Sequence, residues 1–152
     1  MAETLGLLCD KLTIVKLKQY HSDDRAKTES LMVQEQQLCE EIDAFLSGAF
    51  SGEIAVEKLT FKSNKVYKKQ GNELEALQAE SLGAVFSELA KVNCELWHEQ
   101  EKVYEFETVP VEQKDAVVKQ LALLNLKRNQ CIDAIDQALN KIVQSKGGQH
   151  VS

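Results

Sequence analysis

At 152 residues the chain fits a single domain, long enough to bury a core without disulfide or metal staples. Eighteen Lys and Arg against 24 Asp and Glu leave a formal charge of −6, which argues against the basic footprint of sequence-independent nucleic-acid binding. Hydrophobic residues at 43% and charged residues at 28% exclude wholesale disorder, and a lone proline suits long helices better than a loop-rich or all-β chain.

The first segment, Glu3 to about His21, spaces Leu5, Leu8, Leu12 and Val15 as one helical stripe, interrupted by Asp10 and Lys11. It has no basic n-region, so it does not read as a signal peptide, and no apolar run approaches the ~18 residues of a spanning helix. Cys9, Cys39, Cys94 and Cys131 lie far apart with no CxxC pair and read as free thiols. These features place the protein in the cytoplasm, without membrane insertion.

Ser22-Asp23-Asp24 supplies N-cap oxygens for a second helix carrying Leu31, Leu38, Ile42 and Phe45. Within the glycine-punctuated SGAFSG that follows, Gly48 is placed to end that helix as a left-handed cap. The connection from Glu57 to Gly71 then gathers Lys58, Lys62, Lys65, Lys68 and Lys69 in an otherwise acidic chain, with Phe61 and Tyr67 among them. It reads as a solvated connection whose aromatics cover a bundle end. Charge alone would also suit a phosphate or an acidic partner surface, but no GxxxxGK[ST] loop occurs.

A third helix is expected from near Asn72 to about Tyr104, on the stripe Leu82, Val85, Leu89, Val92 and Leu96. The fourth should follow Thr108 as N-cap, with Pro110 in its first turn. Its seam of Val117, Leu121, Leu124, Arg128, Ile132, Ile135, Leu139 and Ile142 is apolar except for Arg128. The bundle domain is expected over 1–146, with 147–152 a disordered tail.

An offset of 77 aligns Leu5-Gly6 with Leu82-Gly83, Leu12 with Leu89, and Tyr20-His21 with Trp97-His98. An offset of 93 aligns Ile42-Asp43 with Ile135-Asp136. The pattern predicts an all-α, antiparallel four-helix bundle made of two related hairpins, with the Lys-rich connection between helices 2 and 3. If both hairpin turns share one end, Tyr20, His21, Trp97, His98 and Glu101 gather there. A connection crossing the bundle would separate them.

Three groups of residues could form a site. Glu95, His98 and Glu101 share one helix face at spacings of three. Glu-x-x-His is a di-iron spacing, but the chain has no second such pair. A metal on His21, His98 and Glu101 would require the shared-end geometry. The plainer reading is a hydrogen-bonded His98 with Trp97 packed over the bundle end, so no metal or cofactor is expected. Arg128 must be paired or must snorkel, because an unpaired buried charge is costly. Asn125 and Asn129 beside it suggest a buried polar network, whereas a cleft would make Arg128 an anion clamp. GxSxG and HExxH are absent, and the acidic pairs (Glu40, Glu41, Asp43; Asp133, Asp136) do not match the ExxE and ExxD combination of helical pyrophosphohydrolases.

The stretches LGLLCDKLTIVKLKQYH (5–21), NCELWHEQEKVYE (93–105) and LALLNLKRNQCIDAIDQAL (121–139) resemble a bacterial all-helical family that bears only a domain-of-unknown-function label. The resemblance falls on Trp97, His98, Glu101, Asn125, Arg128, Asn129, Ile135 and Asp136. Family members often carry a second acidic residue where this chain has Lys102. Related genes tend to lie near glycosyltransferases in surface-polysaccharide (lipopolysaccharide) clusters, which implies a context and no reaction. The leading expectation is therefore a non-enzymatic binding or accessory protein with a protein partner or self-association. The alternative is a small enzyme or sensor taking an anionic, sugar-phosphate or nucleotide-like ligand at Trp97, His98, Glu101, Asn125, Arg128 and Asn129.

Overall fold

The computed structural model describes residues 3–60 and 81–149. Four helices run in sequence: α1 (Leu5–His21), α2 (Arg25–Ser51), α3 (Leu82–Tyr104) and α4 (Val111–Gln149), with 3-10 turns at Val56–Lys58 and Phe106–Thr108. No strand occurs among the described residues, and the helices pack as a four-helix bundle. Most of the Lys-rich connection, with Phe61 and Tyr67, lies outside the described residues.

The stripes explain the core. Leu5, Val85, Leu89, Val92, Leu124, Ile135 and Leu139 bury nearly all their surface, joined by Cys9 and Cys131. Leu59, just past the first 3-10 turn, is also fully buried, so the start of the connection is pinned into the core. α2 lies along α1 and contributes buried Ala49 and half-buried Ile42, Phe45 and Leu46 to this cluster. Its Met32 and Val33 are exposed.

α1 is buried on a second face that its apolar stripe does not announce. Gly6 packs against the backbone of α4 so closely that a Cβ would lie 2.3 Å from the Ile132 carbonyl oxygen. The Asp136 carboxylate accepts the Gly6 N–H at 2.7 Å. A helix leaves its first amides without intrahelical partners, and here a carboxylate on a neighbouring helix serves one of them. Thr4, the N-cap of α1, makes no side-chain capping bond.

Asp24 caps α2 as its sequence neighbourhood predicts, accepting from the Ala26 N–H at 2.9 Å and the Lys27 N–H at 3.3 Å. Three expected boundaries move. Gly48 does not end α2: it is buried inside the helix beneath Ile54, and the left-handed cap is Gly52, with φ 87°. α3 opens at Leu82, where the Ser81 hydroxyl accepts the Ala84 N–H at 3.1 Å and caps the helix; the expected start near Asn72 lies outside the described residues. Thr108 does not cap α4, since its hydroxyl donates to the Glu105 carbonyl at 2.7 Å within the 3-10 turn. α4 opens at Val111 and continues through Gly147 and Gly148 to Gln149, past the point where a tail was expected; residues 150–152 lie outside the described residues.

Candidate functional site: the groove between α1 and α2

Arg128 is paired, and its partner is Asp10 of α1. Nε donates to one carboxylate oxygen at 2.8 Å and Nη2 to the other at 2.5 Å, the fork geometry in which a guanidinium holds a carboxylate best. Asn93 of α3, fully buried, donates its side-chain amide to the same carboxylate at 3.0 Å. Three helices therefore meet on one carboxylate that is itself 5% exposed. The Asp10 hydrogen bonds raise the Arg128 pKa against the lowering effect of burial, so the guanidinium stays charged.

The network is not the one expected from neighbouring asparagines. Asn125 is exposed and donates to the Leu121 carbonyl at 3.1 Å. Asn129 is half-buried and engaged in interactions of its own. Asp10 and Asn93 were missed as site residues. The available signal was a lone carboxylate beside an apolar stripe in one helix and a lone guanidinium inside another.

The hairpin turns share an end. His21, the last residue of α1, stacks on Trp97 of α3 with ring centroids 4.6 Å apart and planes 19° from parallel. The His21 Nδ1 sits 2.9 Å from the Leu17 carbonyl. A carbonyl only accepts, so Nδ1 carries the proton and Nε2 is left for other partners. His98 and Glu101 are exposed and line neither of the cavities described next. Among the described residues no group of three or more His, Cys, Asp or Glu is placed to hold a metal, which removes the His21, His98 and Glu101 site.

Two cavities lie along the seam between α1 and α2. The wider, about 540 Å³, sits at the turn and is lined by Lys18, His21, Ser22, Lys27, Ser30 and Trp97, with Asp23 and Asp24 beside them. The narrower, about 350 Å³, continues toward the middle of the bundle, where Lys11, Gln37, Glu41 and the Asp10–Arg128 pair face it. Lys18 and Gln34 line both, so the cavities adjoin as one groove. Its charges are partly consumed within the protein: Arg128 by Asp10, Lys11 by Glu3, and Asp24 by the α2 amides.

The buried thiols lie away from the groove lining. Burial, then the charges of Asp136 and Asp10, push Cys9 up to about 12. Burial, then the Glu88 carboxylate, push Cys131 up to about 11 against the opposing Lys127. Both are held as neutral core groups, whereas Cys39 and Cys94 are exposed.

Fold and site together define the class: a four-helix bundle with a polar groove along its first hairpin. No protein-family model, curated protein or solved structure matches the chain. No helix among the described residues is long and apolar enough to cross a membrane.

Proposed function

We propose that the protein is a non-enzymatic binding protein whose ligand site is the α1–α2 groove. The observation that carries this reading is the continuity of the two cavities through Lys18 and Gln34, which makes a concave polar site of the size that small ligands occupy. The lining favours binding over catalysis. Its histidine has one nitrogen committed to the Leu17 carbonyl, and its most buried carboxylate is held by Arg128 and Asn93. Of the six ligand-binding residues expected from the sequence, Trp97 and Arg128 line the groove.

Under this proposal the protein acts in the cytoplasm as an accessory to surface-polysaccharide synthesis, the context that the family resemblance implies. Self-association belongs to the same reading, with exposed Met32, Val33 and Val118 as candidate contacts. Duplication of an ancestral hairpin is also part of it, since α1 and α3 open on Leu5 and Leu82, the pair related by the offset of 77.

The test is a thermal-shift panel of divalent metals, nucleotides, nucleotide sugars, sugar phosphates and neutral sugars. A ligand at about 100 times its dissociation constant stabilises by about 2.7 kcal/mol. For this chain length that raises the Tm by roughly 5–11 °C. Gln34→Tyr, which narrows the groove where the cavities meet, should abolish the shift without lowering the basal Tm. A shift that survives Gln34→Tyr would move the site elsewhere, and a flat panel would defeat the small-ligand reading.

A further inference from the structure

We propose that the wider cavity, at the α1–α2 turn, is a receiving site for a phosphoryl dianion, held by the Lys18 and Lys27 ammonium groups, with the Nε2 edge of His21 beside them for a hydroxyl of the same compound. The inference rests on the groove being the ligand site and names the chemistry of one end of it. Six groups in this cavity carry the reasoning.

Lys18 comes from the last turn of α1 and Lys27 from the first turn of α2, so two cations on different helices face one space. Among the described residues neither has an ion-pair partner, in contrast to Lys11, Lys16 and Lys102, which pair with Glu3, Glu35 and Glu99. Two uncommitted ammonium groups match the double charge of a phosphate monoester near neutral pH.

His21 is oriented for the same task. Its Nδ1 proton is fixed on the Leu17 carbonyl and one face lies on Trp97, so Nε2 is what it has left to offer a ligand. In the tautomer that this bond fixes, Nε2 accepts, so it can take a hydrogen bond from a hydroxyl of the phosphorylated compound while the lysines hold the phosphoryl oxygens.

The acidic neighbours match the two lysines in number but not in availability. Asp24 is committed to the Ala26 and Lys27 amides. Asp23 is exposed and, together with Asp24, balances the formal charge of the two lysines, so what favours the anion is that both ammonium groups can turn onto it. The negative charge of Asp23 should weaken an anion's binding, which provides a test of opposite sign to the lysine variants.

Trp97 is the single tryptophan of the chain, and it lines this cavity while stacked on His21, so its fluorescence reports on ligand entry. The full-length protein is titrated with inorganic phosphate and with glycerol 3-phosphate, using glycerol and chloride at matched ionic strength as controls. A saturable change with either phosphate and none with the controls is expected, the tighter of the two naming free phosphate or a phosphorylated compound as the source. Lys18→Gln and Lys27→Gln should each weaken binding about tenfold, the loss of one charge-assisted hydrogen bond. Asp23→Asn should tighten it about two- to threefold. All three positions are exposed, so folding is not at issue. No saturable response, or a response that the lysine variants leave unchanged, overturns the inference. If a neutral compound still stabilises the protein and Gln34→Tyr removes that effect, the groove stands as a binding site and only its phosphoryl end is lost. If nothing stabilises it, both readings fall.

Discussion

Asp10 and Arg128, 118 positions apart in the chain, form the bidentate ion pair that ties α1 to α4, and Asn93 brings α3 to the same carboxylate. The pair is deep on the Asp10 side and reaches solvent on the other, where the Arg128 side chain is 33% exposed. That asymmetry decides what mutation should do. Arg128→Met leaves a buried carboxylate without its cation and should destabilise by about 3 kcal/mol. Asp10→Leu combined with Arg128→Met should recover most of that loss, because no charge is then stranded. Urea unfolding of both single variants and the double variant measures the coupling, and simple additivity would show that the pair holds nothing together.

Gly6 and Gly83 follow a leucine at the start of α1 and α3, yet the same substitution should have opposite effects. At Gly6 a Cβ meets the Ile132 carbonyl oxygen at 2.3 Å, so Gly6→Ala must push α1 off α4 and strain the bond to Asp136. A loss of about 3 kcal/mol is expected, or roughly 6–12 °C in Tm. Nothing lies within 4 Å of a Cβ at Gly83, so Gly83→Ala should stabilise by about 0.5–1 kcal/mol. Calorimetry of the two variants checks both signs.

The thiols give a pH prediction. Cys9 and Cys131 titrate near 12 and 11 in the folded protein, above the ordinary value of 9.0. A raised folded pKa means that the unfolded chain ionises first as pH rises. The stabilisation is therefore complete below pH 9 and is lost progressively toward pH 11–12. Stability measured from pH 8 to 11 should fall, and fall less steeply in Cys9→Ala. In the native protein at pH 8, an alkylating reagent should modify Cys39 and Cys94 and spare the two buried thiols until the chain unfolds.

Asp24 serves both fold and groove. Asp24→Ala removes the acceptor for two α2 amides and should cost about 1 kcal/mol, read as a drop in the urea midpoint with an unchanged slope.

The apolar spacing made the four stripes legible, and Ser22-Asp23-Asp24 made the α2 cap legible, because both depend on residues a few positions apart. Arg128 was legible as a group that needs a partner. Its partner was not, since Asp10 lies on another helix and reads locally as a mere interruption of the first stripe. SGAFSG offers two glycines, and only tertiary packing decides between them: Ile54 covers Gly48, which leaves Gly52 to turn the chain. The aromatic–His pairs pointed to one end of the bundle, but helical phase brings together His21 and Trp97 and leaves Tyr20 and His98 exposed. The groove itself joins residues from all four helices, from Lys18 and Gln34 to Trp97 and Arg128, which no linear spacing encodes.

The central claim is that the α1–α2 groove binds a small ligand, and amide chemical-shift mapping of the ¹⁵N-labelled protein against the most stabilising compound tests it most directly. The predicted result is a set of saturable shifts along 10–21 of α1, at Ser22 and along 27–41 of α2, with the Trp97 indole and Arg128 among them. Shifts centred instead on His98, Glu101 or the exposed Val118 face of α4, with the groove amides unmoved, would contradict it.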